Sequence, residues 1–156
     1  MSRDVLLLIH PTLGVLAILA SLWVFVETIG IDPAGLRRMG VASLVVPALL
    51  LATWLGGGLW DAANYSTDQR ILDQGGWAYV GNTAMELKEH LFALVLMLAL
   101  YLPIAVFRGD LLDDRDGRLV VNAVSLLIVL VGLAMEGAGA ILGLSVKVAL
   151  FQHVGG

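Results

Sequence analysis

The chain has 156 residues, of which 59% are hydrophobic and 14% charged, with no cysteine and a formal net charge of -4; its mean hydropathy is +0.91. A soluble domain is typically about 45–50% apolar and about 25% charged, so this composition excludes an ordinary soluble globular enzyme. The acidic balance leaves no basic face for nucleic acid. Without cysteine there are no disulfides, thiolate metal sites, iron–sulfur clusters or thiol nucleophiles.

A spanning helix needs about 20 predominantly apolar residues. The first such stretch, about 5–26, carries His10 as its one ionisable group before Glu27. It is longer than the roughly 7–15 apolar residues of a signal peptide, and no small-x-small cleavage site follows, so it reads as a retained helix. The second stretch, about 41–61, contains Pro47 and Gly56-Gly57-Gly58 and closes on Asp61. Residues 62–84 carry Tyr65, Trp77 and Tyr79. They are predicted to form a loop on the membrane surface, because aromatic rings favour the headgroup level.

The third stretch, about 85–107, is preceded by Thr83-Ala-Met-Glu86, the pattern of a capping box at a helix start. The run of Asp110, Asp113, Asp114 and Asp116 that follows reads as a solvated turn. The fourth stretch, about 119–151, is interrupted only by Glu136 and Lys147. About 30 helical residues would extend roughly 45–50 Å, so this helix must project, tilt or break, and a break is cheapest at Gly137, Gly139 or Gly143. Gly139 and Gly143 also form a G-x-x-x-G, which lets a neighbouring helix approach.

Together these elements predict an all-α integral membrane protein: one domain over 1–156, a four-transmembrane-helix up-down-up-down bundle with a long or kinked fourth helix. Arg37, Arg38, Arg108, Arg115 and Arg118 fall in the loops that join helices one to two and three to four. By the positive-inside rule that bias puts the N and C termini on the outer, periplasmic side.

Counting depth from that side, His10 and His90 each lie about five residues into their helices, roughly 7 Å. Glu136 lies roughly 26 Å up from the inner end of its helix, and Asp61 sits at the outer edge. Each helix thus brings an ionisable group to one layer. Such groups are costly within a span and usually face the bundle interior. Glu86 and His90 are i and i+4 and share a face, which Glu89 could join; Lys88 is expected to point elsewhere and snorkel to the interface. His153 belongs to the tail, and Trp23, Glu27 and Asn122 to the inner face.

Several chemistries suit that layer. His10, Glu86, His90 and Glu136, with Asp61 nearby, offer imidazole and carboxylate ligands for iron, manganese or zinc, which would make an enzyme here a membrane metal-dependent oxidoreductase. The Glu-x-x-x-His spacing departs from the paired Glu-x-x-His motifs of di-iron bundles. Alternatively, His10 and His90 could be the axial ligands of a b-type haem, with Gly56–Gly58 and Gly139 leaving room for the ring. A third reading is a proton, cation, quinone or small hydrophobic substrate site without a metal. A fourth is a structural subunit in the lipid bilayer, as a homo-oligomer or in a larger complex. The signatures G-x-S-x-G, H-E-x-x-H and G-x-x-x-x-G-K-[ST] are absent.

Overall fold

The structure, a computed structural model, describes residues 3–73 and 75–154, with side chains described except at 3, 4, 6, 7, 60–68, 71, 153 and 154. The described residues form four helices and no strand: α1 (Arg3–Ile29), α2 (Pro33–Asp73), α3 (Ala78–Arg108) and α4 (Arg115–Val154). All four are long and apolar enough to cross a membrane, so the chain is an all-α four-helix membrane bundle.

Many buried positions recur at spacings of three and four. Among them are Gly14, Ala17, Ser21, Val24 and Thr28 on α1; Met39, Ala42, Val46, Leu50 and Thr53 on α2; and Val95, Ala99, Leu102 and Val106 on α3. This is the spacing of a left-handed seam between nearly antiparallel helices. Large apolar residues such as Leu19, Val41, Met97, Leu100 and Leu130 point outward. In water that surface would be untenable, and against lipid it is expected. Sequential helices pack side by side, α1 also packs on α4, and α1 and α3 lie on opposite corners.

Polar ties lock the end carrying the α1–α2 and α3–α4 turns. Asn122 donates from Nδ2 to Thr28 Oγ1 at 2.7 Å, and the Ser21 hydroxyl donates to the Ser125 carbonyl at 3.0 Å. Arg38 forms a forked pair with Glu27, at 2.6 and 2.9 Å, and Trp23 Nε1 donates to the same carboxylate at 2.8 Å. Asp32 begins α2 by accepting from the Gly35 amide, with Pro33 at the first helical position, where its missing N–H costs nothing. Interhelical hydrogen bonds within membranes average about 0.6 kcal/mol and reach about 1.7. Asn122→Leu is therefore expected to lower stability by about that range without changing the fold, as measured by equilibrium unfolding in mixed micelles.

Two features depart from the sequence expectations, and a third decides between alternatives they left open. Residues 62–84 are not a surface loop: α2 continues to Asp73 and α3 begins at Ala78. No proline or glycine occurs between 59 and 74 to end the helix, and the turn comes only at Gly75-Gly76. Gly75 is required there, because a Cβ would lie 2.5 Å from that of Ala149 on α4. The capping box does not form either, since Thr83 and Glu86 fall inside α3, whose N-cap is Trp77 with no side-chain cap bond. Finally, α4 is continuous through Gly137, Gly139 and Gly143, and no described glycine has positive φ. It reaches about 60 Å, running past the membrane-depth part of α1 alongside the α2–α3 hairpin, where Gln152 Oε1 accepts from the Gly76 amide at 3.1 Å. Gly143 has nothing packed against it, so the G-x-x-x-G makes no close helix contact.

Candidate functional site

Between the helices, toward the end that carries the chain termini, lies a cavity of about 290 Å³. Its floor is apolar: Ala17, Ile18, Leu50, Val95, Ile128 and Gly132. Its upper part is polar, with His10 from α1, Thr53 from α2, Lys88 and Glu89 from α3 and Glu136 from α4. One wall is aromatic, where Trp54 of α2 and Phe92 of α3 stack with ring centroids 6.4 Å apart and planes 11° apart.

Glycine makes room for the polar groups. A Cβ on Gly57 would lie 2.7 Å from His10 Nδ1 and Cε1, so the imidazole rests on bare α2 backbone. Gly14 plays the same part for Glu136, whose Oε1 would lie 2.5 Å from a Cβ there. Seated in this way, His10 Nδ1 lies 2.9 Å from the Thr53 carbonyl. A carbonyl can only accept, so Nδ1 carries the proton and Nε2 of the neutral ring is left as an acceptor. Lys88 Nζ lies 3.4 Å from that Nε2 and donates to it. The lysine reaches across the bundle diagonal from α3 to α1, passing over Gly139 of α4.

Thr53 stands out among the hydroxyls of the bundle. Thr12, Ser43 and Ser145 each donate back to a carbonyl three or four residues earlier, at 2.7, 2.8 and 2.9 Å. Thr53 is 7% exposed, its Oγ1 is sealed from solvent, and that oxygen has no hydrogen-bond partner among the described residues. A buried unsatisfied hydroxyl costs about 1–3 kcal/mol, and Thr53 is one of the residues that line the cavity.

Of the residues singled out from sequence, His10 and Glu136 come together here. His90 and Glu86 do not. Both are exposed on the outside of α3, and His90 Nδ1 binds the Glu86 carbonyl of its own helix at 2.7 Å. The inward face of α3 follows from its buried residues: counting back from Val95 in steps of three and four gives Phe92, Lys88 and Met85, and all three line the cavity. Lys88, expected to snorkel outward, and Glu89, expected on the face of Glu86 and His90, are therefore the ionisable α3 residues that line the site. The side chains of Asp61 and His153 lie outside those described. Among the described residues no group of three or more His, Asp or Glu side chains is placed to hold a metal ion. Thr53, Trp54, Phe92 and Gly14 were not singled out from sequence, and Gly57 was singled out only within Gly56–Gly58 as room for a haem ring. The usable signal was the Gly56–Gly58 run lying at the depth of His10.

No protein-family model, curated protein or solved structure matches the chain, so the functional reading rests on this geometry.

Proposed function

We propose that this membrane protein binds the carbonyl-bearing ring of a quinone-class molecule in the cavity between its helices. The observation that carries the reading is an apolar cavity lined by Lys88, His10, Glu136 and Thr53, whose hydroxyl has no hydrogen-bond partner among the described residues and needs only a side-chain rotation to offer its proton to a ligand. Ligand pockets are mostly apolar with a few convergent polar groups, and span about 300–1,000 Å³. At about 290 Å³ this one suits a single ring system. A quinone needs flat apolar walls and donors for its carbonyl oxygens. Trp54, Phe92, Ile18 and Val95 supply the first; the Thr53 hydroxyl and the Lys88 ammonium supply the second. Glu136 is placed as a proton donor or acceptor at the rim. The metal and haem readings both use His90, which faces away from the cavity, and so they draw no support from the arrangement. With the five loop arginines at the opposite end of the bundle, the positive-inside rule puts the cavity in the outer leaflet.

Calorimetric titration of the protein in lipid nanodiscs with a tailless naphthoquinone tests this. Saturable binding is expected, weakened about tenfold by Thr53→Val, which keeps the shape but removes the donor and with it about 1.4 kcal/mol. No binding by folded wild-type protein, or equal binding by wild type, Thr53→Val and Lys88→Met, would overturn it.

A further inference from the structure

The cavity boundary differs in chemistry from side to side. Toward the end of the bundle that carries the chain termini it is lined by Lys88 and Glu89, both charged. Sideways, the boundary is the Trp54–Phe92 stack across the α2–α3 seam. Of the four seams between adjacent helices this is the loosest. Trp54 lines the cavity and yet is 54% exposed on the outside of the bundle, so here the wall is one side chain thick. Trp54 lies within the apolar stretch of α2 that is long enough to cross a membrane. The outer surface around it, at Leu51 and Leu55, is apolar and exposed. The thin wall therefore faces hydrocarbon rather than water.

Resting on the ring-binding reading above, we infer that the Trp54–Phe92 stack is a lateral portal, and that the ligand is a lipid-soluble quinone whose hydrophobic tail leaves the cavity through the α2–α3 seam. About 290 Å³ holds a ring head and no long tail, so a tail must cross the boundary. Between charged Lys88 and Glu89 it would desolvate both groups; between Trp54 and Phe92 it exchanges one apolar contact for another. Partly exposed side chains change rotamer within nanoseconds, so the stack can part without moving a helix. A ligand held in this way enters from the bilayer and keeps its head beside Thr53 and Lys88.

The absence of cysteine makes the test clean. In a Trp54→Cys/Phe92→Cys double variant, a short bifunctional thiol reagent ties the seam shut. Two probes are titrated before and after crosslinking: a tailless naphthoquinone and the same ring bearing a decyl tail. Crosslinking is expected to weaken the tailed probe about tenfold or more and the tailless one by no more than about twofold. Equal affinity for the tailed probe before and after crosslinking overturns the portal while leaving ring binding standing. A companion variant, Trp54→Leu, keeps an apolar wall and loses the stack. It is expected to raise the association rate of the tailed probe several-fold over that of the tailless one, and unchanged rates for both count against the portal. Failure of the wild-type protein, shown to be folded, to bind the tailless probe overturns the ring-binding reading instead.

Discussion

Gly57→Ala is expected to weaken ring binding severely, while Gly56→Ala, one residue earlier, leaves it intact. The added Cβ at 57 would lie 2.7 Å from the His10 ring, whereas at Gly56 it meets nothing within 4 Å. Real Cβ atoms do not tolerate the first distance, so the imidazole must leave its seat. That breaks its bond to the Thr53 carbonyl and pushes the ring into the volume proposed for the ligand. A loss of about a hundredfold in affinity, equivalent to about 2.8 kcal/mol, is expected. Both substitutions replace a helical glycine by the best helix former, worth about 0.5–1 kcal/mol in favour of the helix. Thermal unfolding should therefore show neither variant seriously destabilised, which separates loss of the site from loss of the fold. Retained affinity in Gly57→Ala would mean that His10 and its seat have nothing to do with binding.

Lys88→Met is expected to cost both binding and stability, and Glu136→Gln is expected to restore part of the stability. The Lys88 ammonium donates to His10 Nε2 and lines the same cavity as the Glu136 carboxyl. Removing it leaves a carboxyl facing an apolar cavity without the compensating charge, and groups that share a network in this way couple by about 0.5–3 kcal/mol. The double variant should therefore be more stable than the two single losses added together, as read from unfolding in mixed micelles. His90→Ala provides the contrast, because His90 is exposed and bonded only to its own helix. It should match wild type in both assays. Additive losses for Lys88→Met and Glu136→Gln would show that the two groups do not interact.

The fold was legible because its signals are long and redundant. Four apolar runs bounded by charged or glycine-containing segments leave few alternatives for a chain that cannot be covered by water. What misled was local. The stretch 62–84 looked like a loop from its polarity, yet polarity does not end a helix, and the absence of proline and glycine lets α2 run on to Asp73. Likewise, Thr83-Ala-Met-Glu86 has the letters of a capping box, but a helix already under way has no free amides there for Glu86 to cap.

The site was half legible. Depth counting brings His10 and Glu136 to one layer, and the structure seats them on Gly57 and Gly14. Depth says nothing about azimuth, and azimuth decides between Lys88 and His90. The correct register was available in the small and branched residues Val95, Ala99, Leu102 and Val106, whose three-four spacing extends back to Phe92 and Lys88. The i and i+4 pairing of Glu86 and His90 drew the choice to the opposite face. Thr53 could not have been found from sequence at all, since its distinction is a hydrogen bond that other hydroxyls make and it does not.

The most direct test of a quinone-class ligand between the helices is photolabelling of the protein in nanodiscs with an azidonaphthoquinone, followed by mapping of the labelled peptides. Label concentrated on the segments around Thr53–Gly58 and Met85–Phe92, and displaced by excess unlabelled naphthoquinone, is the expected result. Label spread over outward residues such as Met97, Leu100 and Leu130, and not displaced, would contradict it.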